Sequence, residues 1–480
     1  MTKIFTFVFT ILICLKVLSQ TTYPSLNINL LSTINPEVTF SNPQSWQQKY
    51  SGCWGWYQAN KNKEYAIIGS ASGAYFIDVT TPTNPILIDS VKVNNFAIHR
   101  EIKTYSHYAY IITDEGNGRT CLVDLQYLPD SVHEIPPSIH HLPNNSHTLF
   151  IDNNKLYLDN VAMPVGTATV PVSGLVVYDL TNPTTPTLIR YIEQDYPSGS
   201  PLGCAAHDMF VNNDTIFASC QNNGLKVYLF TASNTFSLLA TYSNYIHAGY
   251  NHSSWMTEDK KHLIFCDEVP PGLTAKMIDI QDLSNIQLTD TFRSHVGATA
   301  HNPYLVGNRW CWMSSYEDGI YLYDLTNPLN VAMYGYFDTR PAHGFNDNYP
   351  NAWSGNWGAY PYLPSKIILA LDMQDGLFIL DGDATYKSSI VTNKKEIDYH
   401  LPEISVFPNP IENELTIHTS TLSENKMPYI LSDALGRIVL VGNLNNSKTT
   451  INTSNLEKGF YSLSITNEKS NNLKTIKLVK

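Results

Sequence analysis

A chain of 480 residues is too long for one ordinary core and predicts two or more domains. Charged residues make up only 15% and aromatics 12%, with Tyr, Asn, Thr and Pro plentiful, which favours strands and turns over helices. The formal charge of -12 excludes a nucleic-acid backbone as partner.

In chain order, the first twenty residues, "MTKIFTFVFTILICLKVLSQ", read as a secretory signal. Lys3 supplies the positive start, and Ile4 to Leu15 is an apolar run too short to span a bilayer. Val17 and Ser19 fit a small-residue cleavage site, so residues 1–19 form the predicted signal peptide. No later segment reads as a transmembrane helix. Cys14 leaves with the signal, and export permits disulfides among the other six cysteines.

Residues 20–383 are organised by a repeat. One phrase ends a strand and opens a turn: "FIDVTTPTNP" at Phe76, "VYDLTNPTTP" at Val177 and "LYDLTNPLN" at Leu322. Weaker copies begin at Cys121, Leu225, Met277 and Phe378. A second pattern precedes each: "HTLFIDNNKLYL" at His147, "HDMFVNNDTIFA" at His207, "HSSWMTEDKKHLIF" at His252 and "HNPYLVGNRWCW" at His301. "REIKTYSHYAYI" at Arg100 falls in the same register, and further copies start at Trp54 and Trp357. Each unit reads as strand, turn, strand, loop, strand, Asn-Pro turn, strand. Four short antiparallel strands in units of roughly 50 residues, repeated seven times, predict an all-β fold, a seven-bladed β-propeller. The last unit is one strand short, and "SLNINLLSTINP", ahead of the first unit, can supply it.

These repeats, with the opening "WGW…YAIIG…G…FIDVTTPTNP" and the "TDEG" and "DE" strand ends, resemble the choice-of-anchor B family of LVIVD-repeat proteins over roughly Asn27 to Asp383. The resemblance implies an exported propeller whose surface attachment differs between members. It carries over no defined activity.

Residues 384–402 read as a polar linker. Residues 403–480 alternate as short strands of a small C-terminal β-sandwich. Phe407-Pro408-Asn409-Pro410, the "DALGR" run from Asp433 through Gly436 to Arg437, "LEKGFY" with Gly459 and Tyr461, and the terminal Lys480 resemble the C-terminal sorting domain of the type IX secretion system of Bacteroidetes. That resemblance implies contact with the secretion machinery and passage across the outer membrane. Removal of the tail and release, or attachment to surface polysaccharide, would follow. A carbohydrate-binding sandwich is the alternative, but no cluster of aromatics marks a sugar platform.

The strand pattern also places candidate chemistry. Each histidine begins the innermost strand of its unit, and the second strand ends on the same face. One face is therefore expected to carry Arg100, His147, His207, His252 and His301 in a ring. Acids stand just outside: Asp114 and Glu115, Asp159, Asp267 and Glu268, Glu317 and Asp318, and Asp372, with Asp208 directly after His207. Neutral imidazoles bind a divalent metal such as Zn²⁺, Mn²⁺ or Ca²⁺, or a polar ligand, with carboxylates orienting them. The competing reading is structural, with imidazoles tying blades together. Cys204 and Cys220 fall on that face and could form a disulfide, whereas Cys121, Cys266 and Cys311 read as core. The irregular stretch "YFDTRPAHGFNDNYPNAWSGNWG" could line a sugar or peptide groove or cap the last unit. No G-x-S-x-G elbow, P-loop or H-E-x-x-H is present. The sequence thus favours an exported module that binds a glycan or protein partner on its histidine face. Its rivals are a metal-dependent hydrolase with Asp208, Glu268 or Glu317 as base, and a structural or adhesive surface protein.

Overall fold

The computed structural model describes residues 22–40, 47–93, 97, 99–114, 118–162, 164–165, 168–169, 173–341, 354–390, 404–419, 427–433, 437–444, 446–467 and 472–480. The signal segment, Glu115, Gly436 and most of the irregular stretch after Pro341 lie outside these residues. The chain divides into two compact units, Met1–Ile390 and Val391–Lys480.

In the first unit, seven antiparallel sheets of four or five strands follow one another among the described residues. Sheet 1 comprises Tyr50–Gln58, Lys63–Ser70, Gly73–Asp78 and Ile86–Lys92; sheet 2 comprises Arg100–Tyr105, Tyr108–Thr113, Cys121–Asp124 and His133–Ile135. Sheet 3 has Leu149–Asp152, Lys155–Val161, Ser173–Asp179 and Thr187–Tyr191. Sheet 4 has Asp208–Asn212, Thr215–Ser219, Leu225–Phe230 and Phe236–Tyr242. Sheet 5 has Asn251–Met256, His262–Asp267, Ala275–Asp279 and Gln287–Phe292. Sheet 6 has Asn302–Val306, Trp310–Ser314, Ile320–Asp324 and Ala332–Phe337, and sheet 7 has Asn356–Tyr360, Ile367–Asp372 and Gly376–Gly382.

The middle strands are nearly continuous apolar runs because both of their faces are buried. In Lys63–Ser70, Tyr65 and Ile67 pack toward sheet 2, while Ala66 and Ile68 pack toward sheet 7. A strand that alternates sides in this way must be apolar at every position. An apolar core lies between every successive pair of sheets. Another joins sheet 7 to sheet 1 through Leu369, Leu371 and Ile379 against Ile68 and Ile77. The first strand of each sheet packs on the first strand of the next, and that of sheet 7 on that of sheet 1.

The recurring Asp has a local cause. The side chains of Asp78, Asp124, Asp179, Asp279 and Asp324 each accept from the backbone amide two residues on, at 2.7–2.9 Å. Asp is selected because its carboxylate closes the turn that leads to the fourth strand. In sheet 7 the chain instead enters the helix Ala384–Ser389, capped by Asp383, whose Oδ1 accepts from the Tyr386 amide at 2.8 Å.

That sheet receives its outer strand from the other end of the chain. Ile28–Ile34 pairs antiparallel with Gly376–Gly382, and Ser25–Leu26 extends sheet 6 beside Ala332–Phe337. The borrowed strands satisfy the edge that the short last repeat would leave open. The helix Ala384–Ser389 replaces the start of the expected linker, whose remainder, 391–402, lies outside the described residues. Tyr386 is fully buried against Trp310 and Trp312, and its hydroxyl accepts from Trp312 Nε1 at 2.9 Å. The boundary between units therefore falls at Ile390 rather than Asp383.

The second unit has a three-stranded sheet (Ile404–Phe407, Glu414–Thr419, Lys448–Asn452) and a four-stranded one (Ile438–Leu444, Met427–Asp433, Phe460–Asn467, Asn472–Val479). Leu415, Ile417, Leu431, Leu463 and Leu478 share one core.

Candidate functional site

The innermost strands bring imidazoles from successive sheets together at one mouth of the ring. His207 and His301 stand immediately before the first strands of sheets 4 and 6 and His147 two residues before that of sheet 3, and their backbone amides are held by Ser219 O, Ser314 O and Asp159 O. His252 lies where the register of sheet 5 shifts between Asn251 and Ser253, and Trp357 lies at the same shift in sheet 7. A bulge re-aims a side chain that the regular pleat would send elsewhere.

In sheet 2 the ring position belongs to His99, one residue before Arg100. Arg100 is buried; its amide donates to Ser51 Oγ at 2.9 Å and its Nε to Ser70 O at 2.6 Å, joining sheet 2 to sheet 1. The strand Arg100–Tyr105 has one residue more than Asp208–Asn212, so counting back from the turn lands one residue late. Sheet 1 contributes no ring side chain. Gly52 sits there with φ +70°, and a Cβ would meet Arg100 O at 2.0 Å.

The result is a closed circle of six rings. Successive centroids are 5.6 Å apart for His99–His147, 4.2 Å for His147–His207 and 4.4 Å for His207–His252. They are 4.6 Å for His252–His301, 4.7 Å for His301–Trp357 and 5.2 Å for Trp357–His99. The circle opens onto a cavity of about 60 Å³, room for a few waters or an ion with part of its shell.

Hydrogen bonds fix how these imidazoles present themselves. His207 Nδ1 lies 3.3 Å from His252 O, and His301 Nδ1 lies 2.8 Å from Trp357 O. His147 Nδ1 meets Asp114 Oδ2 at 2.5 Å. A carbonyl or carboxylate only accepts, so Nδ1 donates in each case, and a neutral imidazole held this way keeps its lone pair on Nε2. Burial lowers His207 well below its usual range, with His147 and His252 adding to the effect. Burial also lowers His252 despite Glu268, and lowers His301 well below its usual range with His252 adding. The three are therefore neutral acceptors at pH 7. Burial opposes ionisation of Asp114, but donation from His147 and His99 outweighs it and holds this carboxyl well below the usual range. Deeper in, burial and then Glu101 push Asp208 up to about 6. Glu101 itself is bound by Lys103 at 2.5 Å.

The predicted acids divide. Asp114 serves the ring, and Glu268 reaches it, with Oε2 3.7 Å from His252 Nε2 and Oε1 accepting from the Tyr316 hydroxyl at 2.5 Å. Asp159 is fully buried beneath Thr148, accepting from its amide and hydroxyl at 2.7 and 2.6 Å. Asp267 is paired with the buried Lys276 at 2.7 Å. Glu317 accepts from Ser354 Oγ at 2.5 Å, Asp318 binds His295 at 2.6 Å, and Asp372 takes the Thr339 hydroxyl at 2.7 Å. Glu317 and Asp318 lie between strands of sheet 6 and Asp372 ends a strand of sheet 7, and none of the three lines the cavity. His99, Trp357 and Tyr316 are the site residues that the sequence reading leaves out. His99 was visible as the residue before the counted repeat, and Trp357 as the start of its own copy.

The sulfurs of Cys204 and Cys220 are joined, with Cα atoms 5.5 Å apart, tying the entry of sheet 4 to the end of its second strand. Cys53, Cys121, Cys266 and Cys311 are free and buried. A second cavity, of about 620 Å³, lies beside this disulfide and is lined in part by Glu193, Tyr196, Asn222 and Lys226.

In the second unit the predicted motif residues hold the C-terminal strand. Asn409 Oδ1 accepts from the Val479 amide at 3.0 Å and its Nδ2 donates to Lys477 O at 3.3 Å. Gly459 and Lys480 exchange backbone bonds at 2.9 and 3.0 Å. Lys480 Nζ donates to Glu412 O and Thr453 O. Arg437 closes on Asp433 through Nε at 2.7 Å, and the Tyr461 hydroxyl donates to Glu457 O at 2.7 Å. Phe407 is half exposed, and both bonds preceding Pro408 and Pro410 are cis.

Residues 405–480 match the family of secretion system C-terminal sorting domains. No curated protein matches the chain. Among solved structures it is similar to PorZ, an essential bacterial surface component of the type-IX secretion system of Porphyromonas gingivalis, with 12% identity and a TM-score of 0.43. That match covers 87% of this chain and 58% of PorZ, so the chain spans under two thirds of that protein's length. It is also similar to YCF48 bound to D1 peptide (8% identity, TM-score 0.47, 77% of this chain and 98% of that one). YCF48 from Cyanidioschyzon merolae is similar at 10% identity and a TM-score of 0.46, over 74% of this chain and 98% of that one.

The sorting domain marks the chain for the type IX secretion machinery and for export to the cell surface or secretion. No helix among the described residues is long and apolar enough to cross a membrane.

Proposed function

We propose that the first unit is a seven-bladed β-propeller of the choice-of-anchor B type, delivered outside the cell by a sorting β-sandwich. In this reading it binds its ligand at the histidine-lined mouth. The observation that carries the reading is the circle of His99, His147, His207, His252, His301 and Trp357 around one cavity. Stapling between blades accounts for the Nδ1 side of His207 and His301. It leaves the Nε2 side unexplained, and five imidazoles turned toward one cavity are a costly way to join sheets that apolar cores already join.

The experiment is to probe the immobilised full chain with a glycan array and a random peptide library. Capture lost in His207→Ala and in His147→Ala but kept in Asn222→Ala, at the second cavity, is the expected pattern. Capture indifferent to both histidine substitutions would overturn the reading.

A further inference from the structure

We propose that His207, His252 and Glu268 form a site for one divalent metal ion of the zinc type. The proposal deepens, and rests on, the reading of the mouth as the binding face. One ligand atom from each of the three residues lies within 4.8 Å of the other two. They come from two neighbouring sheets, His207 ahead of the first strand of sheet 4, His252 in the first strand of sheet 5 and Glu268 just after its second.

Two of the three ligands, His207 and Glu268, are fixed from behind. His207 gives its Nδ1 proton to His252 O, which leaves Nε2 as the lone pair. Glu268 is held through its other oxygen by the Tyr316 hydroxyl at 2.5 Å. Such outer contacts are what metal ligands require to keep their geometry. The separation of 3.7 Å between His252 Nε2 and Glu268 Oε2 is too long for a hydrogen bond, yet both residues are buried. Beside His252, the Nε2 of His301 is also buried and meets no hydrogen-bond partner among the described residues. Two imidazoles and one carboxylate suit Zn²⁺ and its first-row neighbours, whereas Ca²⁺ and Mg²⁺ prefer oxygen alone. Three protein ligands leave a tetrahedral ion one position open, and His207 and His252 both line the cavity.

The test is calorimetric titration of the EDTA-treated full chain with Zn²⁺, Co²⁺ and Ca²⁺, together with the visible spectrum of the Co²⁺ form. The proposal expects one Zn²⁺ per chain, no competition by Ca²⁺, and affinity reduced about 100-fold or more in His252→Ala and Glu268→Gln. Glu268→Gln keeps the volume and the acceptor for Tyr316, so it isolates ligation from folding; unfolding curves confirm that each variant is folded. Asn222→Ala, at the second cavity, should keep both the stoichiometry and the Co²⁺ spectrum. Absence of Zn²⁺ uptake by the folded chain, or uptake unchanged in Glu268→Gln, would overturn the site. If glycan or peptide capture still fails in His207→Ala under those results, only the metal inference falls. If capture is indifferent to His207 as well, the binding face falls with it.

Discussion

Two side-chain devices recur in the first unit, and each has a measurable energy. The carboxylate of Asp179 closes its turn on the amide and hydroxyl of Thr181 at 2.7 and 2.6 Å. Asp179→Ala should cost about 1 kcal/mol in denaturant unfolding, the usual net value of such a bond. A buried carboxyl acts differently. Burial first, and then Asp375, push Asp372 up to about 6, against donors from Thr339, Gln374 and Asp375. Burial, with Asp318 and Asp372, also pushes Asp338 up to about 6. A carboxyl raised in the folded state binds its proton more tightly there than in the unfolded chain. Its stabilisation is complete below the ordinary carboxylate pKa near 4 and is lost as pH rises through about 6. Asp372→Asn should therefore gain on the wild type between pH 5 and pH 7.5, by about 1–2 kcal/mol. Thermal unfolding of both proteins across that range checks it, and a constant difference would refute it.

The elements explain why much of the architecture was legible. Turn chemistry repeats because every unit must turn at the same place, so Asp78, Asp124, Asp179, Asp279 and Asp324 marked the third strands. The borrowed outer strand was legible because an open sheet edge is costly and Ile28–Ile34 was unassigned. Two features escaped. The extra residue in Arg100–Tyr105 shifted the ring position from Arg100 to His99, since a periodic count cannot see a lengthened hairpin. The helix Ala384–Ser389 was read as linker because a single buried residue, Tyr386, anchors it and no helical period shows in six residues. Both features yield predictions. Tyr386→Ala should destabilise the first unit by about 3–5 kcal/mol, the range for emptying a buried aromatic site. Removing residues 22–34 should expose the edge of Gly376–Gly382 and cause self-association, visible by light scattering.

For the whole molecule, the sorting domain sets where the protein goes, and in the proposed reading the ring sets what it meets there. A chain ending before residue 405 should stay inside the cell, and fractionation with an antibody to the first unit would show it. The ring was legible only in part, because a sequence shows which residue types recur but not whether their rings converge. Convergence depends on the bulges at His252 and Trp357 and on the bare Gly52. It also separates Glu268, which reaches an imidazole, from Asp267 beside it, which is spent on Lys276. The most direct measurement is anomalous diffraction at the zinc edge from crystals of the full chain grown with Zn²⁺. The account predicts seven sheets closed around one peak bonded to His207, His252 and Glu268. Imidazoles turned away from one another, with no peak at saturating Zn²⁺, would contradict it.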